Sequence, residues 1–189
     1  MAQTTSKKAY IDFSVFDENT EILVKNLSAK KYSIFANSKT LDLLNTNLKE
    51  KINLEEDFNV ENYNLVALDI PDFRKYLNKD IELSTLIENF NLEKVELIKK
   101  AAKKALENKK LIVLVKKEDY SIDLDEINEE EQIEKLALKA LNETAKHDFT
   151  VLEKLNKQFR EEENFKVLSL KKVQKLKYGE NPHQKASLY

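Results

Sequence analysis

Short apolar segments alternate with segments of helical periodicity along the first part of the chain. Four of the apolar segments predict strands, at residues 10–16, 32–36, 64–70 and 111–115. The first has apolar residues at alternate positions on one face, whereas the last is continuously apolar, as in a strand buried on both faces. Because strands and helices alternate, we predict an α/β domain with a mainly parallel sheet of roughly four or five strands and helices on both faces.

Helix signals stand between and after these strands. Residues 17–20 offer N-cap candidates for a first helix, and Ser38 is a candidate cap for a second. Between 92 and 106 apolar residues recur at helical spacing with lysines largely opposite, which is the pattern of an amphipathic helix. Helical spacing continues from 129 to 159 and predicts a long helical cover, on whose surface we expect His147.

Composition narrows the class of protein. The chain has 189 residues, 41% hydrophobic and 35% charged, with a net charge of −2, so no bulk attraction to nucleic acid or membrane is expected. It has no cysteine, which excludes disulfides and thiolate chemistry, and its two histidines make a poor metal site. No apolar run approaches the length of a membrane span or resembles a signal peptide, so we expect a cytoplasmic protein.

Glycine is almost absent, because Gly179 is the only one. A phosphate-binding loop that depends on close backbone approach therefore has no glycine available earlier in the chain. The only glycine, one of the two prolines and one of the two histidines stand within five positions near the end, as Gly179, Pro182 and His183. This stretch is a shaped loop with groups suited to a phosphate and a heterocycle.

The stretch 176–184 carries a resemblance to a known family. It reads Leu-Lys-Tyr-Gly-Glu-Asn-Pro-His-Gln. This closely resembles the Leu-Arg-Tyr-Gly-Glu-Asn-Pro-His-Gln motif at the start of the formyltransferase half of the AICAR formyltransferase/IMP cyclohydrolase family. Only Lys177 departs from that motif. The resemblance implies that Lys177 and Tyr178 bind the phosphate or ring of AICAR.

The resemblance extends over most of the chain. Residues 81–104 align with the family without a gap, and 118–120 and 136–145 resemble its Glu-Asp-Tyr turn and its Leu-Ala-Leu-Lys-Ala stretch. It implies a methylglyoxal-synthase-like three-layer α/β domain. The implied organisation is a cyclohydrolase-like domain at 1–160, a connecting segment at 161–175 and the start of a formyltransferase domain at 176–189.

The resemblance also implies site residues. The stretch 36–40 occupies the place of the family's Ser-Thr-Gly-Gly-Thr loop, which wraps a nucleotide phosphate, so Ser38, Lys39 and Thr40 are the implied substrate-binding residues. Lys103 retains the type of an active-site lysine and is the implied catalytic residue. The alternatives are a capped helix start without a ligand and a solvated helix lysine.

Several positions depart from the family pattern. Both loop glycines are replaced, Asn91 stands in the place of a catalytic Asp, and Glu93 and Lys94 replace a Gly-Gly pair. Nothing in 45–62 matches the longer family segment that provides a catalytic lysine. These departures remove much of the chemistry that ring closure of formyl-AICAR requires, namely a proton donor, a proton acceptor and dipoles for the oxyanion.

Three functional hypotheses follow. The favoured one is a purine-biosynthesis protein whose cyclohydrolase site is degenerate and which serves as a scaffold for a formyltransferase domain. The second is an active cyclohydrolase with a site rebuilt from Lys39, Lys103 and Asp69. The third is a non-enzymatic binding or dimerisation module left by truncation.

The implied ligands and partners are AICAR, formyl-AICAR, IMP and a second copy of the chain, with no nucleic acid or membrane. No cofactor is implied for this domain, and 10-formyltetrahydrofolate is the cofactor of the family's formyltransferase domain.

Overall fold

A computed structural model of the protein describes residues 6–70, 73, 82–88, 90–127, 129–159, 173–176 and 186–188. The chain divides into two units, Met1–Val151 and Leu152–Tyr189. The second unit contains the antiparallel pair β6 (Gln174–Leu176) and β7 (Ala186–Leu188), in which Lys175 lies opposite Ser187.

A five-stranded parallel sheet is the centre of the first unit. Its strands are β1 (Lys8–Asp12), β2 (Ser33–Ala36), β3 (Ile52–Leu54), β4 (Leu65–Leu68) and β5 (Ile112–Leu114). The spatial order is β3-β2-β1-β4-β5, and every neighbouring pair is parallel. This confirms the predicted parallel sheet and adds the edge strand β3, which no apolar run predicted.

Helices cover the sheet on both faces. They are α1 (Glu18–Ala29), α2 (Ser38–Asp42), α3 (Thr46–Lys49), α4 (Leu83–Glu88), α5 (Leu92–Asn108) and α6 (Glu130–Phe159), with 3₁₀ turns at Val60–Asn62 and Lys117–Asp119. From β1 the chain crosses through α1 to β2, and from β4 it crosses through α5 to β5 in the opposite direction. Right-handed crossovers in opposite directions place α1 and α5 on opposite faces, so the three-layer α/β architecture is confirmed.

β1 ends earlier than the alternating pattern predicts. The strand stops at Asp12 because the next two backbone N–H groups are taken by side chains and not by a neighbouring strand. Phe13 N–H donates to Thr40 Oγ1 at 3.0 Å, and Ser14 N–H donates to the Asp69 carboxylate at 2.9 Å. The predicted strand 10–16 was therefore too long, and Val15 is exposed instead of lying on the apolar face.

The helix starts follow the capping rules, with one correction. Asp17 caps α1 in a reciprocal capping box with Thr20, as predicted. Ser38 is not the cap of α2, because it is already the first helical residue. Asn37 takes that role, since its Oδ1 accepts the N–H of Thr40 at 2.8 Å.

His147 is buried, contrary to the surface position predicted for it. It shares one face of α6 with Ala140, Thr144 and Val151, which are all buried and follow at helical spacing. Its ring lies 5.8 Å from that of Phe73, and within the described residues neither ring nitrogen has a hydrogen-bond partner. The prediction that His147 lies on the helix surface was wrong, because His147 occupies a position on the apolar face of α6.

We predict that His147 makes the fold sensitive to acid. Burial lowers the pKa of His147 below 6.5, against the opposing effect of Asp148 and with a further lowering from Lys99. Below about pH 6.5 the unfolded chain binds a proton that the folded chain does not, so the free energy of unfolding falls by up to about 1.4 kcal/mol per pH unit until the folded pKa is reached. Urea unfolding between pH 7.5 and 5 measures this slope. His147→Leu should flatten it, and His183→Leu is the comparison; equal slopes in the wild type and His147→Leu would contradict the prediction.

Candidate functional site

A cavity opens at the carboxyl end of β1. The chain leaves β1 and its neighbour β4 in opposite directions along the sheet, and their junction is the switch point near which α/β folds place ligand sites. The cavity has a volume of about 530 Å³. Its lining comes from the end of β1, the start of α2 and the start of α5, including Asp12, Ser38, Lys39, Asn91 and Lys94.

Lys94 lies at the floor of this cavity, between two carboxylates. Its Nζ is 2.9 Å from Asp12 Oδ1 and 2.9 Å from Asp69 Oδ1. It also donates to Ser14 Oγ at 3.1 Å and to the Asp12 carbonyl oxygen at 3.3 Å. The three charged side chains are each about one-tenth exposed, so a buried cluster of two carboxylates and one ammonium joins β1, β4 and α5.

Backbone N–H and hydroxyl groups donate further hydrogen bonds to the carboxylates of Asp12 and Asp69. Asp69 accepts the N–H of Ser14 at 2.9 Å and its hydroxyl at 3.1 Å. Asp12 Oδ1 lies 3.5 Å from the Thr40 hydroxyl, which in turn accepts the N–H of Phe13. Since buried charges are tolerated only when paired and hydrogen-bonded, these contacts keep the cluster in place.

The stretch 36–40, for which the resemblance implies phosphate binding, lies at the cavity. Two of its backbone N–H groups already donate to acceptors within the chain. Ser38 and Lys39 line the cavity. The backbone N–H of Ser38 donates to Glu56 Oε1 at 3.0 Å, and that of Thr40 donates to Asn37. Thr40 itself is fully buried. A carboxylate of the chain thus occupies a position at the start of α2 that an anionic ligand would need.

A cluster of three aromatic side chains stands at the apolar wall of the cavity, which Tyr10 and Phe58 line. The Tyr10 and Phe58 rings are 4.2 Å apart, and Tyr63 lies 5.5 Å from Tyr10 and 5.4 Å from Phe58. Burial, with the Asp12 carboxylate as the next cause, raises the pKa of Tyr10 well above its usual range. Burial also raises the pKa of Tyr63 to about 12. Both phenols are therefore neutral hydrogen-bonding groups near pH 7.

Sequence comparison shows which known proteins the chain resembles. Residues 101–189 match the model of the AICARFT/IMPCHase bienzyme family. The chain is a divergent relative of that bienzyme family.

Relatives that match the chain include three proteins described as the bifunctional purine biosynthesis protein PurH. Those of Acetivibrio thermocellus and Persephonella marina are each 32% identical over 142 residues, which cover 71% of this chain and 27% of the relative. That of Bacillus mycoides is 34% identical over 140 residues, covering 70% of this chain and 27% of the relative. The chain therefore spans about a quarter of the length of these PurH proteins.

Lys103, the catalytic residue implied by the AICARFT/IMPCHase pattern, does not join the cavity. Lys103 lies on the exposed side of α5, where its side chain is 78% exposed and its Nζ is 3.7 Å from Glu107 Oε1. It does not line the cavity, so its catalytic role stays a prediction without a supporting contact. Lys177 and Tyr178 lie outside the described residues.

The sequence did not indicate a functional role for Lys94, Asp12 or Glu56. Lys94 was noted only as a replacement for a glycine. A usable signal was present, because Lys94 shares the buried face of α5 with Ile98, Ala101 and Ala105 at helical spacing. A lysine on an apolar helix face indicates a buried partner of opposite charge.

Two features are absent from the described residues. Within the part of the chain that the structure describes, no group of three acidic or histidine side chains is placed to hold a metal ion. No helix in the described ranges is long and apolar enough to cross a membrane.

We predict that Lys94 stabilises the fold. Lys94→Met should lower the free energy of unfolding by about 3–5 kcal/mol, because it leaves Asp12 and Asp69 buried without a cation. The matched control is Lys103→Met on the exposed side of the same helix, which should change stability by less than about 0.5 kcal/mol. Urea unfolding at pH 7 compares them, and equal small effects would show that Lys94 does not compensate the buried carboxylates.

Proposed function

We propose that the chain is a cyclohydrolase-type domain of a purine-biosynthesis protein whose ring-closing site is degenerate, and that it serves as a scaffold for a formyltransferase domain. The observation that carries the proposal is the placement of Lys94 between Asp12 and Asp69. A lysine held by two carboxylates at the cavity floor fills the place where the family pattern has a Gly-Gly pair.

The cavity is poorly suited to a nucleotide. A phosphate dianion would have to displace Glu56 from the Ser38 N–H and compete with Asp12 and Asp69 for Lys94. Lys39 is the remaining lysine that lines the cavity. Because a dianion would enter beside three carboxylates, the electrostatic free energy of binding is unfavourable compared with that of a glycine loop at a helix start.

The donor and acceptor that ring closure requires are also unavailable. The Lys94 ammonium is already engaged in ion pairs and hydrogen bonds, so using it as a proton donor means breaking them. Asn91, which replaces the family's Asp, lines the cavity but its amide does not titrate. General acid–base catalysis contributes about 10²–10⁴ in rate, and its loss removes most of the activity.

The rebuilt-site hypothesis receives less support. It requires Lys39, Lys103 and Asp69 to act on one substrate, but Lys103 lies away from the cavity. Asp69 is committed to Lys94 and Ser14. A dimerisation role, with a second copy of the chain as the partner, is compatible with the scaffold proposal and forms part of it.

We predict that the pure chain does not convert formyl-AICAR to IMP. The reason is that Lys94 and Asp69 are paired with each other and that Asn91 stands in the place of the family's Asp. The measurement is IMP formation followed by chromatography, against the spontaneous reaction in buffer. Ring closure that the wild type catalyses and Lys103→Ala abolishes would overturn the proposal in favour of a rebuilt site.

A second prediction concerns AICAR and the end of the chain. In a longer product that includes the formyltransferase domain with its cofactor 10-formyltetrahydrofolate, Lys177 and Tyr178 should contact AICAR. Lysine lacks the planar fork with which arginine grips two phosphate oxygens, so affinity should be weaker than with Arg at this position. Lys177→Arg should therefore tighten binding in the longer product, as measured by calorimetry.

The 189-residue chain is the comparison in the same calorimetric experiment. It should show no micromolar binding of AICAR, because the other pocket walls are absent. Micromolar binding to this chain that persists after Lys177→Ala would place the ligand elsewhere, and so would contradict the account of the loop at Ser38–Thr40.

A further inference from the structure

Helix α6 carries a second row of apolar side chains beside the face that packs on the domain. The packed face consists of buried residues at helical spacing, among them Ile133, Ala137, Ala140, Thr144 and Val151. The second row lies on another side of the helix, and its members Leu138 and Leu152 are 52% and 38% exposed. Apolar residues on more than one side of a helix indicate more than one packing partner.

The second row is a narrow stripe that suits another helix. It consists of Leu138, Ala145, Phe149 and Leu152, and we call it the outer stripe. Ala145 is exposed and Phe149 is half-buried. Successive members stand seven, four and three residues apart, which places them along one line of the helix over about 21 Å. This is the spacing of a coiled-coil seam.

The outer stripe is complementary to a second copy of itself. Leu138 and Leu152 stand seven residues before and seven residues after Ala145. If two such helices cross in antiparallel orientation at Ala145, each Leu138 packs against Leu152 of the second copy. The small Ala145 side chains at the crossing let the two helices approach closely. An interface around a two-fold axis requires this kind of self-complementarity.

The charges beside the outer stripe follow the same symmetry. Lys139 and Glu153 each come directly after a leucine of the stripe, so they lie on one flank of the helix. The antiparallel crossing brings Lys139 of one copy towards Glu153 of the other, which are opposite charges. Lys139 already contacts Asp119, but an ammonium group can donate three hydrogen bonds. Lys146, which approaches its own equivalent at the crossing, is compensated by Glu143 at 2.7 Å in its own chain.

We propose that two copies of the chain associate through their outer stripes as an antiparallel helix pair centred on Ala145. This surface specifies the dimerisation that the scaffold proposal includes, and it rests on that part of the proposal alone. A single pair of helices is a small interface, so the association is weak and depends on concentration.

Cysteine crosslinking tests the geometry on the 189-residue chain, which has no cysteine of its own. Ala145→Cys places two thiols together at the crossing, so oxidation with copper phenanthroline should give a disulfide-linked dimer on a non-reducing gel. The matched control is Glu131→Cys, an exposed position of the same helix about 21 Å away. It should stay largely monomeric under the same conditions.

The orientation is tested with the two leucines. Leu138→Cys alone should not crosslink, because in the antiparallel pair it faces Leu152 of the second copy. A mixture of Leu138→Cys and Leu152→Cys should give the crosslinked heterodimer. Crosslinking of Leu138→Cys with itself would show a parallel pair and overturn the proposed geometry.

Sedimentation equilibrium tests the association without a crosslink. Leu138→Glu should weaken dimerisation by at least about tenfold, because it places a charge in the apolar contact. The control Leu92→Glu changes a leucine of similar exposure on α5 and should have no effect on dimerisation. Both leucines are exposed, so urea unfolding should show nearly unchanged midpoints for both variants.

Two further results would overturn the proposal in different ways. A dimer that persists in Leu138→Glu would place the interface elsewhere and leave the dimerisation role intact. A chain that stays monomeric, with Ala145→Cys crosslinking no faster than Glu131→Cys, would refute the second copy as the occupant of the outer stripe. The assay for IMP formation is independent of either result.

Discussion

The ammonium group of Lys94 holds together three parts of the fold at the carboxyl edge of the sheet. It is in contact with Asp12 at the end of β1 and with Asp69 just after β4, and it is carried by the first turn of α5. Without it, two buried carboxylates would face each other across the switch point. The turn after β1 depends on the same group, because the N–H of Ser14 donates to the carboxylate that Lys94 fixes.

This constraint explains how a nearly glycine-free chain closes the carboxyl edge of its sheet. Sites that bring backbone N–H groups close to a phosphate need residues without a Cβ. Here side chains occupy that space, with Lys94 at the floor and Glu56 on the Ser38 N–H. The Ser38 N–H and the Lys94 ammonium are therefore both paired with carboxylates of the chain.

Local patterns predicted the elements that bury apolar side chains. The four runs that form β1, β2, β4 and β5 were recognised because each is continuously or alternately apolar. β3 was missed because it is a short edge strand with Ile52 as its one buried residue. The end of β1 was misplaced because long-range hydrogen bonds from Thr40 and Asp69 terminate it, and no local signal carries that information.

The site was less predictable than the fold for the same reason. Lys94 contacts groups 82 and 25 residues away, so its pairing emerges only when the sheet brings Asp12 and Asp69 together. Helical spacing separates Lys94, on the buried face of α5, from the solvated Lys103, but it does not identify the carboxylates that Lys94 contacts. His147 was predicted at the helix surface because it is polar, although its position lies on the apolar face of α6 and the residue is buried.

The most direct test of this account is a double-mutant cycle between Lys94 and Asp69. The free energies of unfolding of the wild type, Lys94→Met, Asp69→Asn and the double variant give the coupling energy of the pair. If Lys94 compensates the buried carboxylates, the double variant is much less destabilised than the sum of the single variants, with a coupling of about 2 kcal/mol or more. A coupling within about 0.3 kcal/mol of zero would contradict the account, because Lys94 and Asp69 would then be independent.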